Sequence, residues 1–186
     1  MVSVNWSYPT SIRFGTGRIA EIAEACLAAD ISRPLLVTDR GLAHLPMVQA
    51  TLDSLQSAGL ARALFSEVDP NPTEVNLQAG LSTYLRGQHD GVVAFGGGSG
   101  LDLGKLIAFM SGQSRPVWDF EDIGDWWSRA DTGGIAPIVA VPTTAGTGSE
   151  SQSFALISDA KTHVKMACGD KKAACRIALL DPVLTL

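Results

Sequence analysis

Short apolar runs without polar alternation most constrain what this chain can fold into. Residues 34–38, Pro-Leu-Leu-Val-Thr, and 91–95, Gly-Val-Val-Ala-Phe, are of this kind, and 135–141 is a further strand-like run. Strands of this composition are buried on both faces. Helical patterns separate them. Ile19, Ile22, Ala23, Cys26 and Leu27 recur at i, i+3, i+4, i+7 and i+8, the stripe of an amphipathic helix. Val48, Leu52 and Leu55 mark a second helix that stops near Gly59. Residues 60–68 read as a strand, with Ala61, Ala63 and Phe65 alternating against Arg62 and Leu64. Asp69-Pro70-Asn71-Pro72 is a turn, because two prolines forbid helix there. Thr73 then caps a helix whose stripe is Leu77, Leu81, Tyr84 and Leu85. After residue 95 a helix resumes around Leu101 to Met110. Strand and helix in alternation predict an α/β fold, a parallel sheet with helices on both faces. Its crossovers are right-handed, and its ligand sits outside the C-terminal strand ends.

Beyond Met110 the pattern changes. Residues 112–134 hold Trp118, Trp126 and Trp127 among acids and glycines, which predicts an ordered excursion. Residues 154–157 and 163–166, joined by Ser158-Asp159-Ala160-Lys161, read as a β-hairpin, and 176–181 as a last short strand. No internal repeat is visible. The length of 186 residues supports a full-sized core, so residues 1–186 are expected to form one unit.

Composition narrows the function classes. A formal net charge of −5 argues against nucleic-acid partners. No run approaches the ~18 apolar residues of a membrane helix. The start, Met1 to Trp6, lacks the basic and apolar regions of a signal peptide, so a cytoplasmic location is expected. Cys26, Cys168 and Cys175 form no CxxC, which favours reduced structural thiols. No two of His44, His89 and His163 have metal-ligand spacing.

Two glycine-rich loops, each at the end of a predicted strand, carry the chemistry. The first is GGGSGLDLGK at 96–105. Backbone N–H groups at a helix N-terminus hold phosphate, and close approach requires residues without Cβ. The P-loop pattern fails, with Ser99 where its first Gly belongs and Leu106 where Ser or Thr belongs. GxGxxG fails as well, because its last position is Leu101. A plain tight strand–helix turn is the simpler alternative to a phosphate site. Asp102 would repel a diphosphate that it faced, so it accepts hydrogen bonds either from ribose hydroxyls or from amides of a neighbouring loop. Lys105, three residues on, could screen Asp102 and attract the diphosphate; otherwise the two form an ordinary i, i+3 ion pair. The second loop, Thr143 to Glu150, offers hydroxyls and free amides without bulk. Asp39 closes the second strand, where an acid can accept both adenosine ribose hydroxyls and repel a 2′-phosphate, favouring NAD over NADP. An inward Arg40 reverses that preference, and a turn or cap role for Asp39 is the alternative.

Together these motifs resemble the iron-containing, group III alcohol dehydrogenases. GGGSGLDLGK at 96–105 is similar to that family's GGGSxxDxxK loop, and PTTAGTGSE at 142–150 to its second signature. Phe14-Gly15-Thr16-Gly17, Val37-Thr38-Asp39, Asp69-Pro70-Asn71-Pro72 and Asp181-Pro182 fall in the expected order. The resemblance implies a Rossmann-like, dinucleotide-binding N-terminal domain followed by an all-helical domain. It implies that the diphosphate lies on Gly96, Gly97, Gly98 and Ser99. Asp102, Thr143, Thr144 and Thr147 would line the cofactor site, Asp39 would hold the adenosine ribose, and Lys165 would reach the nicotinamide ribose. It further implies a divalent metal, iron or zinc, held by an Asp and three His beyond Asp181-Pro182. The sequence ends at Leu186, ahead of them, so cofactor binding with little or no turnover is expected of residues 1–186. The face that meets a helical domain would be partly apolar, which favours a homo-oligomer. The substrate implied is a small alcohol or aldehyde.

Two other classes compete. A lyase like dehydroquinate synthase shares a related scaffold, but the PTTAGTGSE loop favours the dehydrogenase. The other is a non-catalytic cofactor-binding module.

Overall fold

The computed structural model describes residues 9–185; the N-terminal reading over Met1 to Trp6 lies outside them. Six strands form one wholly parallel sheet: β1 (Ser11–Phe14), β2 (Pro34–Val37), β3 (Leu64–Phe65), β4 (Gly91–Gly96), β5 (Ile138–Pro142) and β8 (Ile177–Leu180). Their spatial order is β1-β8-β5-β4-β2-β3. A separate antiparallel hairpin pairs β6 (Phe154–Ser158) with β7 (Lys165–Gly169). The expected α/β sheet with an added hairpin is present.

The unbroken apolar runs sort their side chains by the two-residue period of a strand. Leu35, Val37, Val92, Ala94, Ile138 and Ala140 face one core with helices α3 (Glu74–Arg86) and α4 (Gly98–Met110). Leu36, Val93, Phe95, Val139 and Val141 face the other core with α1 (Ile22–Ala28) and α2 (Pro46–Ser57). All of β2, β4 and β5 is buried, as their composition requires.

Helix α4 is buried at every residue from Gly100 to Met110. It packs on β4 and β5 on one side and on the hairpin and α3 on the other. Gly100 and Gly104 make that closeness achievable. A Cβ at Gly100 would lie 2.9 Å from the Phe95 carbonyl oxygen, and one at Gly104 would lie 2.7 Å from Ala94 Cβ.

Several boundaries depart from expectation. Strand β1 carries no apolar run because, among the described residues, it is a sheet edge paired with β8 alone and mostly exposed. The run over 60–68 yields only the two residues of β3, the opposite edge. Leu27 and Leu85, placed on helix stripes, are 55% exposed, and Ala25 and Gly80 take the buried positions. The second hairpin strand is Lys165–Gly169 rather than 163–166, because the Asp159 carboxylate accepts from the amides of Lys161 and Thr162 and extends the turn. Helix α4 begins at Gly98, three residues before Leu101, so the glycines form its first turn.

The excursion over 112–134 is ordered by three short 3-10 turns and by aromatic anchors. Phe120 packs edge-on against Phe109 of α4 at 5.0 Å. The Arg129 guanidinium lies 4.3 Å from the Trp126 ring and the Lys171 ammonium 4.1 Å from that of Trp127, both within cation–π range. No helix among the described residues is long and apolar enough to cross a membrane.

Candidate functional site

Strands β2 and β4 are neighbours, but their outgoing helices lie on opposite faces, α2 on one and α4 on the other. A crevice opens where that reversal occurs, outside the strand C-termini. Here it is a cleft of about 410 Å³, lined by Asp39 and Arg40 after β2, Gly97 to Gly100 after β4, and Val68, Asp69 and Pro70 after β3. A second cleft of about 440 Å³ begins at Gly98 and Ser99 and continues along Asp102, Thr147, Gln152, Leu156 and Lys165. The shared residues make one trough, with Asp39 at one end and Lys165 at the other.

The middle of the trough is the start of α4. Gly96 has φ +136°, a conformation that side chains rarely adopt, and it turns the chain from strand to helix. No side chain caps α4 at Gly97. The first-turn N–H groups of Gly98, Ser99 and Gly100 therefore have no intrahelical acceptor, at the positive end of the helix dipole. A Cβ at Gly97 would meet Thr144 at 3.4 Å and one at Gly98 would meet Thr147 Cγ2 at 3.3 Å, so the glycines keep the trough floor clear. The Ser99 hydroxyl donates to the Pro70 carbonyl, tying the helix start to the Asp69-Pro70-Asn71-Pro72 turn. That turn forms a wall of the cleft, a role its prolines alone did not reveal; its place at the end of a strand was the available signal.

Asp39 does two things. Oδ1 accepts from the Leu42 amide at 3.0 Å, the expected turn role. The side chain is half-buried and borders the cleft, beside an exposed Arg40 that borders it as well.

Asp102 and Lys105 form the i, i+3 ion pair that was one of the two expected alternatives, but a buried one. The Lys105 side chain is only 1% exposed and turns away from the trough. Its ammonium donates to the carbonyls of Gln152 at 3.2 Å and Phe154 at 2.8 Å. It lies 3.1 Å from Asp102 Oδ1, an ion-pair contact without hydrogen-bond alignment. Two of its donors are thus engaged by the segment that leads into the hairpin. Asp102 Oδ2 accepts from the Leu156 amide at 3.1 Å, the neighbouring-amide alternative, and Oδ1 has no hydrogen-bond partner among the described residues.

The second loop lies against the first. The Thr143 amide donates to the Gly96 carbonyl at 2.9 Å, and Thr143 borders neither half of the trough. Thr147 borders the Lys165 half, and Thr144 borders a further cleft with Glu150 and Pro182. Lys165 is exposed, and its ammonium reaches Asn71 Oδ1 at 3.4 Å. Asp39, Gly97, Gly98, Ser99, Asp102, Thr147 and Lys165 are thus brought to one trough, Gly96 shapes it, and Thr143 and Thr144 border neither of its halves.

None of the cysteines resembles an activated nucleophile. Burial pushes the Cys26 and Cys168 thiols up to about 12 and Cys175 up to about 11. Among the described residues no three His, Cys, Asp or Glu side chains gather as metal ligands would, so these residues do not fit a metal site.

Sequence and fold comparisons identify relatives of this chain. A profile described as iron-containing alcohol dehydrogenase matches residues 9–182. A choline dehydrogenase of Bacillus subtilis is 34% identical over 95% of this chain and 43% of its own length. A 4-hydroxybutyrate dehydrogenase of Cupriavidus necator is 36% identical over 96% of this chain and 46% of its own. The structure of sulfoacetaldehyde reductase from Bifidobacterium kashiwanohense in complex with NAD+ superposes with a TM-score of 0.88 at 28% identity, covering 100% of this chain and 48% of that one. The chain spans less than half the length of these relatives.

Proposed function

The chain belongs to the iron-containing alcohol dehydrogenase family, and from that premise we propose that residues 1–186 form the dinucleotide-binding unit of a nicotinamide-linked alcohol dehydrogenase. The observation that carries this reading is the single trough across the uncapped start of α4. A dinucleotide has a matching order of groups. The adenosine ribose lies at Asp39, whose free carboxylate oxygen accepts from its hydroxyls. The diphosphate lies on the N–H groups of Gly98, Ser99 and Gly100. The second ribose and the nicotinamide lie toward Asp102, Thr147 and Lys165. The Asp102 side chain borders that end, and the exposed Lys165 ammonium offers donors there. The NAD+ named for the sulfoacetaldehyde reductase supports this cofactor class.

When bound in the trough, NAD+ would supply the acceptor for a hydride leaving the carbinol carbon of a small alcohol. The alcohol would become an aldehyde and its hydroxyl proton would leave to solvent. The residues here bind and orient the acceptor. Among the described residues no three His, Cys, Asp or Glu side chains gather to hold the metal that the family name implies.

NAD rather than NADP is the preferred cofactor, because a 2′-phosphate would meet the Asp39 carboxylate. The test is a fluorescence titration with NADH and, in parallel, NADPH. Saturable binding that prefers NADH and weakens at least tenfold in Gly98→Val supports the reading, because a branched side chain at Gly98 fills the trough floor beside Thr147. A folded chain that binds neither nucleotide overturns it.

A further inference from the structure

We propose that the buried Lys105–Asp102 pair is a positioning device that holds the hairpin, and with it Lys165, over the nicotinamide end of the trough; this rests on the function proposed above. The pair is too deeply buried to be an ordinary surface contact, with side-chain exposures of 1% and 8%. Removing two charges from water is costly and is offset only where further hydrogen bonds satisfy them. Nearly all of those partners come from one place. Lys105 binds the Gln152 and Phe154 carbonyls, and Asp102 binds the Leu156 amide. Two side chains one turn apart on α4 thus hold three alternate residues, Gln152 just before β6 and Phe154 and Leu156 within its first three residues.

What they hold has little stability of its own. The hairpin is two strands outside the main sheet, and an isolated hairpin is only marginally stable. Its second strand begins at Lys165, paired across from Ser158. Ser158 is held in turn by its amide donating to the Pro72 carbonyl at 2.8 Å. The β6 backbone is therefore anchored at its start by α4 and at its end by the turn that walls the trough. Lys165 inherits its position through the hairpin register. The ammonium of Lys105 acts on the cofactor through Lys165 and never touches it.

The test uses the whole chain with two probes. NADH spans the trough, and ADP carries only the adenosine and diphosphate, which lie on the Asp39 and Gly98 side. Lys105→Met is expected to weaken NADH by about tenfold and ADP by less than about twofold. Lys165→Ala is expected to weaken NADH several-fold in the native background and to add almost nothing in Lys105→Met, the non-additivity of residues acting as a unit. Hydrogen exchange should rise at the hairpin amides while those of β4 and β5 stay protected. Lys105→Met strands a buried carboxylate and could fail to fold, in which case Asp102→Asn/Lys105→Met, which removes both charges, replaces it in the cycle. Equal weakening of both probes, or a Lys165→Ala effect that is absent in native protein or undiminished when Lys105 is lost, overturns the inference. A native chain that binds neither probe instead overturns the cofactor reading.

Discussion

Asp39 shows how one carboxylate can serve structure and recognition together. One oxygen closes the turn onto the Leu42 amide and the side chain still borders the cleft. Asp39→Asn keeps the acceptor for Leu42 and removes the charge. It should raise NADPH affinity relative to NADH by about three- to tenfold, roughly 1 kcal/mol of lost repulsion, with little change in unfolding midpoint. Parallel titrations read the ratio, and an unchanged ratio would mean that Arg40 already neutralises the site. At this scale the sequence was legible where backbone decided the outcome and illegible where direction did. Three glycines in a row announce close approach whatever surrounds them. The spacing of Asp102 and Lys105 fixes a shared helix face, but not whether that face looks into a trough or into a hairpin. Lys165 carried no signal of its own, because only tertiary structure brings an exposed hairpin lysine beside Asn71.

Elements were legible in proportion to their burial. Strands β2, β4 and β5 are central, so their composition is extreme and their positions were readable. Among the described residues the edge strands β1 and β3 pair on one side only and need no such composition. Helix α3 began where expected, though its cap is reciprocal in a way that Thr73 alone does not disclose. The Val75 amide donates to the Thr73 hydroxyl and the Thr73 amide donates to Asn76 Oδ1. Asn76 also donates to the Glu67 carbonyl and to Asp69 Oδ2, and it is 6% exposed. It therefore ties the helix start to the segment that leads into the cleft wall. Thr73→Ala should cost about 1 kcal/mol, the usual worth of a cap. Asn76→Ala should cost more, about 2–3 kcal/mol, because it leaves several buried groups unpaired. Urea unfolding of the two variants gives the comparison, and equal losses would reduce Asn76 to an ordinary cap partner.

For the molecule as a whole, the sheet separates two cores, and the free thiols are divided between them: Cys26 in one, Cys168 and Cys175 in the other. That partition depends on strand order, which no local pattern encodes, since β8 inserts between β1 and β5 from the far end of the chain. It has a consequence at alkaline pH. Loss of hydration raises all three thiols from 9.0, Cys26 and Cys168 to about 12 and Cys175 to about 11. Burial raises the Tyr84 phenol as well. The unfolded chain thus releases these protons first. Between pH 9 and about 11 to 12 the native state holds more protons than the unfolded state, so stability must fall as pH rises, and below pH 9 the thiols add no slope. Each thiol contributes up to about 1.4 kcal/mol per pH unit inside its window. Unfolding midpoints measured from pH 8 to 10.5 should therefore decline steeply above 9. Cys26→Ala, though less stable throughout from the lost packing, should decline less steeply, because one titrating group is gone. Native thiols should also stay unreactive toward a disulfide reagent at pH 8 and become reactive on unfolding. Parallel pH slopes in the two proteins would show that the alkaline loss comes from the ion pairs instead.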